Sequence, residues 1–500
     1  MNNIGISRRS LTLGSLLKED EMASVLRSAV GSMLIILPLL LGVIWFVGNS
    51  ATWLKLVPRI EVLAFLLLAA LCLYQPKWSL PGFIIALGPL QVFSFHGRIM
   101  IGDYPFTLFS MAVWALPLCW LLRVPRLKNT KPDSLLRWAW GWLWFLMLGM
   151  ALIPIWYDPN MVNDLVMTKL ILYRGVVEGF IVFLVTRAWM RRYNDIGTLK
   201  YAFFLSVVVG LILGCANYAQ QQILDLAPTD VSMFRFNFMA FGGANFTGFF
   251  LVMVFPFAFS GIQKGEITQS FLLAFVVMGV ALASLSRTTP VVLALETAAF
   301  AIPRKTRKLA ILLIGFSIFT LMVSFPFLPQ EYTSYWWDRW QASDAIGLVL
   351  GSATKVDIGD GRREDMKLAF WKDLPKYPFG GYGHAEDDAE NIYLDTSMQL
   401  GWGPGICLIL LQGLLVFAVI KRALKFRNGR DEYGLIMLFL VFGEVVYSYA
   451  VGLNLNKVVR GELGIGTNSL PAIVLAIMGA LCLAPFISSE PDCQHSRPKG

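Results

Sequence analysis

Gly380-Gly381-Tyr382-Gly383-His384-Ala385-Glu386-Asp387-Asp388-Ala389-Glu390-Asn391-Ile392-Tyr393-Leu394-Asp395 marks the point where a long polar insert, residues 328–391, turns back into an apolar run. Outward from it in both directions the chain is a succession of apolar runs separated by short polar and basic loops. A long polar insert in such a chain costs ordering entropy and marks a functional segment.

The composition sets the class. Of 500 residues 56% are hydrophobic and 15% charged, and the mean hydropathy is +0.61. Apolar windows recur from Ala29 to Ile487, each close to the ~20 residues a helix needs to span a hydrocarbon core. Only helices or closed barrels satisfy their backbone there, and continuous apolar runs exclude the alternating barrel pattern. The expected fold is therefore all-α, a polytopic membrane protein of about 12–14 transmembrane helices with one large periplasmic loop.

The candidate spans lie near 29–47, 60–74, 78–95, 104–122, 135–157, 170–186, 200–219, 238–261, 269–286, 289–302, 309–327, 392–420, 433–453 and 465–487. Residues 1–28 read as a cytoplasmic tail, 328–391 as the periplasmic loop, and 488–500 as a polar C-terminal tail. The run from Ala29 to Val47 is long for a signal peptide and lacks a small-residue cleavage site, so it reads as a retained first helix.

A net charge of +9 does not make this a nucleic-acid binder, because the Lys and Arg residues sit in short loops between spans. With the N-terminal tail inside, the basic loops at Arg123–Lys131, Arg187–Arg192, Arg304–Lys308 and Lys421–Arg427 all fall on the cytoplasmic side. The same parity puts Arg287 and the whole 328–391 insert outside. The six cysteines show no paired spacing, which indicates neither a disulfide framework nor a zinc site.

Several residues stand out chemically. Arg287, in Ser286-Arg287-Thr288-Thr289-Pro290, keeps its charge at any reachable pH and sits between two short spans, where it calls for an anion or snorkels to the headgroups. The helix beginning near Pro290 adds its positive end to the same spot. Arg362, Arg363 and Arg235 are further guanidinium candidates, each also readable as surface or interfacial charge. Glu386-Asp387-Asp388 reads as a solvated acidic run, its spacing matching no EF-hand loop, and no metal is assigned. Glu390 lies at the loop-to-helix junction, either a buried base or a carboxylate favoured by the helix dipole. His384 is the alternative base or a solvated loop histidine. Glu296 and Glu444 fall inside spans, where an ionisable group is a functional hypothesis unless it is paired or held neutral.

Taken in order, these elements resemble the O-antigen ligase and polymerase family of bacterial envelope enzymes. Arg235 through Phe241-Gly242-Gly243-Ala244-Asn245-Phe246 is similar to that family's Arg and Gly-Asn-Pro-Asn element, with Gly243-Ala244 replacing Asn-Pro. Ser286-Arg287 is similar to its Ser-Arg-Gly signature, with Thr288 in place of Gly. Arg363 followed by Tyr377-Pro378-Phe379-Gly380-Gly381-Tyr382-Gly383 resembles its outer-loop stretch. Ala389-Glu390-Asn391-Ile392-Tyr393-Leu394 and Gln399-Leu400-Gly401-Trp402-Gly403-Pro404-Gly405 resemble its continuation, with Glu390 where the family has a histidine.

The resemblance implies a glycosyltransferase of the bacterial inner membrane, active in surface polysaccharide biosynthesis. Its donor would be an undecaprenyl-diphosphate-linked oligosaccharide and its acceptor a glycan hydroxyl, with chain-length or export proteins as partners and no cofactor. Arg287, Arg363, Arg235 and Arg362 would hold the diphosphate, and Glu390 or His384 would activate the acceptor. The alternative from another class is a transporter or flippase of a lipid-linked sugar or small solute, using Glu296 and Glu444. A reporter fused near Ser352 tests the shared topology. Activity of a periplasm-dependent reporter is the expected outcome, and activity of a cytoplasm-dependent one removes the parity assignment.

Overall fold

The computed structural model describes residues 75–94, 98–101, 104–107, 113–114, 134–157, 163–193, 195–223, 244–260, 267–283, 288–324, 333–334, 368–380, 391–427, 433–451, 457–461, 464–468 and 470–484. The spans expected at 29–47 and 60–74 lie outside them.

The described body is helical. A 3-10 turn at Pro76–Trp78 leads into α1 (Ser79–Ser94), and α2 (Leu135–Tyr157), α3 (Asn163–Arg192) and α4 (Ile196–Ile223) follow. Then come α5 (Ala244–Ala258), α6 (Ile267–Ala283), α7 (Thr288–Phe300) and α8 (Arg304–Ser324). After the insert the chain forms α9 (Ile392–Leu400), α10 (Trp402–Arg427), α11 (Gly434–Val451) and α12 (Leu470–Cys482). Two helical stretches, Leu135–Ile153 and Trp402–Lys425, are long and apolar enough to cross a membrane. Shorter apolar helices accompany them in α4, α5, α6, α7, α11 and α12.

The all-α expectation holds for this body, and two small antiparallel hairpins depart from it. Strands β1 (Arg98–Ile101) and β2 (Tyr104–Thr107) pair with Arg98 opposite Thr107. Strands β3 (Lys457–Gly461) and β4 (Gly464–Asn468) pair with Lys457 opposite Asn468. They take the starts of the spans expected at 104–122 and 465–487. β-Branched Val458, Val459 and Ile465 suit paired strands, and a hydropathy window cannot separate such residues from the apolar helix beside them.

A second correction concerns the span expected at 392–420, which is two helices. Gly401, at φ +100°, ends α9 by donating its N–H to the Ser397 carbonyl at 3.0 Å. That conformation is open to glycine and strained for residues with a Cβ. Pro404 then sits in the first turn of α10, where its missing N–H costs nothing.

The centre of the body is α12, where residues 471–482 and the following Leu483 and Ala484 are all buried. Trp140 of α2 lies flat against Gly479, close enough that any Cβ there would collide with the indole. Its Nε1 donates to the Leu411 carbonyl of α10 at 3.0 Å, so the one polar atom of this buried ring is satisfied. The last carbonyls of α12 lack helical partners, as at every helix end. Three side chains from two other helices supply donors. Arg137 Nη2 donates to Ala480 at 2.9 Å, and the Ser134 hydroxyl donates to Leu483 at 2.8 Å. Arg422 Nη1 donates to Leu481 at 3.1 Å, Cys482 at 3.2 Å and Ala484 at 3.4 Å. Cations placed there also answer the negative end of the helix dipole.

These contacts fix relative direction. α2 runs opposite to α12, since Ser134, Arg137 and Trp140 meet Leu483, Ala480 and Gly479 in turn. It also runs opposite to α10, as Met150 meets Gly403 and Trp140 meets Leu411. Trp140 against Phe183 and Trp144 Nε1 on the Val176 carbonyl make α3 antiparallel to α2. Gly248 and Val252 of α5 face Tyr447 and Gly443 of α11, which makes that pair antiparallel. Along α7, Thr289, Glu296 and Phe300 meet Tyr447, Gly443 and Phe439, so α7 is antiparallel to α11 as well.

At the end where Arg137 and Arg422 gather, Asp195 caps α4. It accepts from the Thr198 amide at 3.0 Å and the Thr198 hydroxyl at 2.6 Å, and pairs with Lys77 at 3.2 Å. Burial pushes the Asp195 carboxyl upward, but the Thr198 and Lys77 contacts outweigh it and hold its pKa below the usual value. Its contribution to stability is present above the unfolded-state pKa and is lost as pH falls through the folded one.

Arg422→Met should lower the thermal midpoint of the purified protein strongly, because it strands buried carbonyls worth about 1–3 kcal/mol each. Lys421→Met, on the exposed side of the same turn, should leave it unchanged. Equal midpoints for the two variants would contradict the role given to Arg422.

Candidate functional site

The six residues nominated for glycan transfer, Arg235, Arg287, Arg362, Arg363, His384 and Glu390, lie outside the described residues. Described residues that lie near them in sequence pack against α11 or at the α9–α10 junction.

The first anchor follows Arg287 directly. Thr289, in the first turn of α7, shares a 3.0 Å hydrogen bond with the Tyr447 hydroxyl of α11. Both side chains press on Gly248 of α5, where even a methyl group would overlap them. The first turns of α7 and α5 are thus held side by side. They are parallel, since Phe259 stacks on Phe300 at 3.8 Å at the far end.

The second anchor follows Glu390. Asn391 caps α9, its Oδ1 accepting from the Tyr393 amide at 3.1 Å and the Leu394 amide at 3.2 Å. Buried Asp395 reaches back to accept the Asn391 N–H at 3.1 Å. This reciprocal arrangement satisfies the start of α9. From α9 the Tyr393 hydroxyl bonds to Gln412 Oε1 of α10. Gln412 Nε2 donates to Glu444 Oε1 of α11 at 2.6 Å, and the Ser448 hydroxyl donates to the same oxygen at 3.0 Å.

The third anchor joins the two glycine-bearing motifs. A helical turn over 368–373 runs into a 3-10 turn at Leu374–Lys376, and Phe370, Leu394 and Met398 form a small apolar cluster with Leu374 and Tyr377. Trp402 donates its amide to Pro378 at 3.0 Å and its indole N–H to Leu374 at 2.7 Å. Gly380, at φ +92°, lies on the Gln399 carbonyl, and Gly401 lies on that of Pro378. A Cβ would stand 2.7 Å and 2.9 Å from those oxygens respectively. On the exposed rim, the Asp373 carboxylate 2.8 Å from Lys376 raises that ammonium's pKa.

Glu296 and Glu444, the two acids that the sequence puts within expected spans, are fully enclosed. Glu444 Oε2 and both oxygens of Glu296 have no hydrogen-bond partner among the described residues. Glu296 Oε1 lies against Gly443, on the α11 face that also carries Tyr447. Helix α11 therefore presents one face to α5 and α7 and the other, with Glu444 and Ser448, to α9 and α10.

Sequence reasoning missed Tyr393, Gln412, Tyr447 and the buried pair Arg174–Glu178 on α3, 3.2 Å apart. The signal for the pair was there, opposite charges at i, i+4 inside the span expected at 170–186. Gln412 stood alone among leucines. No protein-family model matches the chain, and no curated protein matches it.

Gly401→Ala and Gly380→Ala should each destabilise the junction by about 1–3 kcal/mol, from backbone strain and carbonyl overlap. Faster tryptic cleavage at exposed Lys372 and Lys376 is the expected readout. Gly413→Ala, in α10 with open space around it, should be neutral or slightly stabilising. Indistinguishable cleavage in all three would show that the clasp does not hold the loop.

Proposed function

We propose that the chain is a polytopic membrane glycosyltransferase of the bacterial inner membrane that joins polyprenyl-diphosphate-linked glycans at the periplasmic face, as a polymerase or ligase. The observation that carries this reading is the convergence just described. Described residues near Gly243, Arg287, Gly383 and Glu390 in sequence meet on Tyr447 of α11, as Gly248 and Thr289 do, or at the α9–α10 junction, as Pro378 and Gly380 do, and α9 reaches α11 through Gln412. Described residues that adjoin motifs resembling one family's in order lie toward one end of the body, which supports the reading.

Support for the membrane setting comes from the exterior. Helices α2, α8 and α10 expose Trp142 at 58%, Phe319 at 61%, Met322 at 72% and Phe417 at 58%, among many others. Contiguous apolar faces of that kind are foreign to a water-soluble monomer. Helix directions agree with the alternation that the basic loops require, and Arg137 and Arg422 mark the inner end.

In this reading the acceptor hydroxyl attacks the anomeric carbon as Glu390 or His384 removes its proton. The glycosyl–oxygen bond breaks and polyprenyl diphosphate leaves with the electron pair. Charge grows on that diphosphate, and Arg287, Arg363, Arg235 and Arg362 would stabilise it with fixed guanidinium donors. Water-filled space is not required for this, and a partly dry site strengthens the interaction.

The buried acids Glu296 and Glu444 favour a second reading, a transporter of a lipid-linked sugar, since ionisable groups within a bundle often mark proton or substrate paths. Substitution separates the two. Arg287→Ala and Arg363→Ala should each reduce glycan assembly about 100- to 1000-fold, as loss of one transition-state donor does elsewhere, while lipid-linked repeats accumulate on the outer face. Repeats trapped on the inner face would favour transport instead. Glu390→Gln should be more damaging than His384→Ala, and the reverse would transfer the base role to His384.

A further inference from the structure

The turn that precedes Gly380 is apolar on two sides. On one, Phe370, Leu374 and Tyr377 recur at helical spacing and pack with Leu394 and Met398 of α9. On the other, Leu368, Trp371 and Pro375 recur at the same spacing and are exposed, Trp371 at 61% and Leu368 at 56%. A segment apolar on opposite faces belongs between two apolar surroundings, and α9 supplies one of them. Helix α10 indicates the other. Its exposed residues Trp402, Ile406, Ile409, Gly413, Phe417 and Ile420 run down one face, within the stretch Trp402–Lys425 that is long and apolar enough to cross a membrane. From Trp402 to Ile420 this stripe is about 27 Å long at the helical rise, against about 30 Å of hydrocarbon in a bilayer. Exposed Lys421 follows it. Trp402 thus ends the stripe where the hydrocarbon ends, the level at which tryptophan is enriched. The same residue is tied to the turn, its indole N–H donating to the Leu374 carbonyl at 2.7 Å and its amide to that of Pro378 at 3.0 Å.

We propose that the turn over 368–379 is a membrane-surface anchor, lying on the outer leaflet with Leu368 and Trp371 inserted at the level of the lipid glycerol groups beside Trp402. The inference rests on the membrane reading above, and is independent of the glycosyl-transfer chemistry. Continuity selects the occupant, because the exposed side of the turn adjoins, through Trp402, the face of α10 that meets lipid in that reading. Composition agrees with it. Large apolar side chains interleaved with Lys372 and Lys376 suit a phospholipid interface, where rings and branched chains sit below the headgroups and lysine stems carry their ammonium groups up to water. Lys376 is held by Asp373 at 2.8 Å, and the anchor asks nothing of its charge. The partner is the interfacial layer of a phospholipid leaflet, zwitterionic or anionic. Under the proposed function the diphosphate of a lipid-linked donor lies at this same depth, so the anchor would hold the segment leading into Gly380 level with it.

The test uses the full chain reconstituted in phosphatidylcholine liposomes, with two photoreactive phosphatidylcholines as probes. One carries a diazirine beside the glycerol ester and the other at the methyl end of the acyl chain. Trypsin releases Leu368–Lys372 as one peptide, since Lys367 precedes it. The glycerol-level probe should label this peptide, and the terminal probe should label α10 around Gly413 and spare it. Leu368→Ser combined with Trp371→Ser should lower glycerol-level labelling of Ala369 and Lys372 about tenfold, equivalent to about 1.4 kcal/mol. Leu424→Ser, exposed near the far end of α10, should leave that labelling unchanged. The pattern on the unaltered chain decides without any variant. A 368–372 peptide untouched by the glycerol-level probe in a chain whose α10 is labelled would overturn the anchor, as would its labelling by the terminal probe. Labelling unchanged by the paired serine substitutions would also overturn it. Absence of label on α10 would instead remove the membrane reading beneath it, so the two failures are distinguishable.

Discussion

An apolar helix enclosed on every side has nowhere to send its last carbonyl groups. In α12 the answer is Arg137, Ser134 and Arg422, which bring donors from α2 and α10 to the 480–484 turn. An unsatisfied carbonyl at that depth costs enough to matter against a marginal folding free energy. The arginines therefore both permit a fully buried axis and fix how α2 and α10 lie on it. Once those are placed, Trp140 can seat on Gly479 and reach Leu411, and α3 follows through Phe183 and Trp144.

The same logic operates at the other end with neutral donors. Helix α11 carries Tyr447 on one face, bonded to α7, and Glu444 on the other, bonded to α10, with Ser448 donating to Glu444 within the helix. Tyr447 holds the starts of α5 and α7 together, and Glu444 reaches α9 through Gln412 and Tyr393. In an apolar surround such bonds have no competing water, which makes them directional ties between segments that dispersion alone would leave free to slide. Under the proposed function these ties preorganise the outer end. In that proposal, preorganisation of this kind is where electrostatic catalysis gains most of its effect.

Much of the frame was readable from hydropathy. Residues 135–157 were delimited as a span and form α2 with the same limits, because long uninterrupted apolar runs leave few alternatives. The break at Gly401 was not readable that way, since one glycine barely moves a window average although it decides the backbone. Its cause lies in contacts with Pro378 and Phe379, which arrive from across the junction. The hairpins escaped for a related reason, being short and flanked by apolar helix. Sequence singled out Glu296 and Glu444 as acids within spans, and both are enclosed. The partners of Glu444 were not foreseeable, because Gln412 and Ser448 acquire meaning only once α10 and α11 are packed. Site residues were legible only as an ordered set of motifs, and the structure contributes the anchors around them.

The central claim is that this body cleaves a lipid diphosphate-linked glycan at its outer end rather than carrying it across. The most direct measurement is reconstitution of the purified chain into liposomes holding a polyprenyl-diphosphate-linked oligosaccharide in the leaflet that the 328–391 insert faces, with both lipid products followed. The account predicts release of free polyprenyl diphosphate in step with transfer of its glycan to an acceptor sugar. Intact donor appearing in the opposite leaflet, with no diphosphate released, would contradict it.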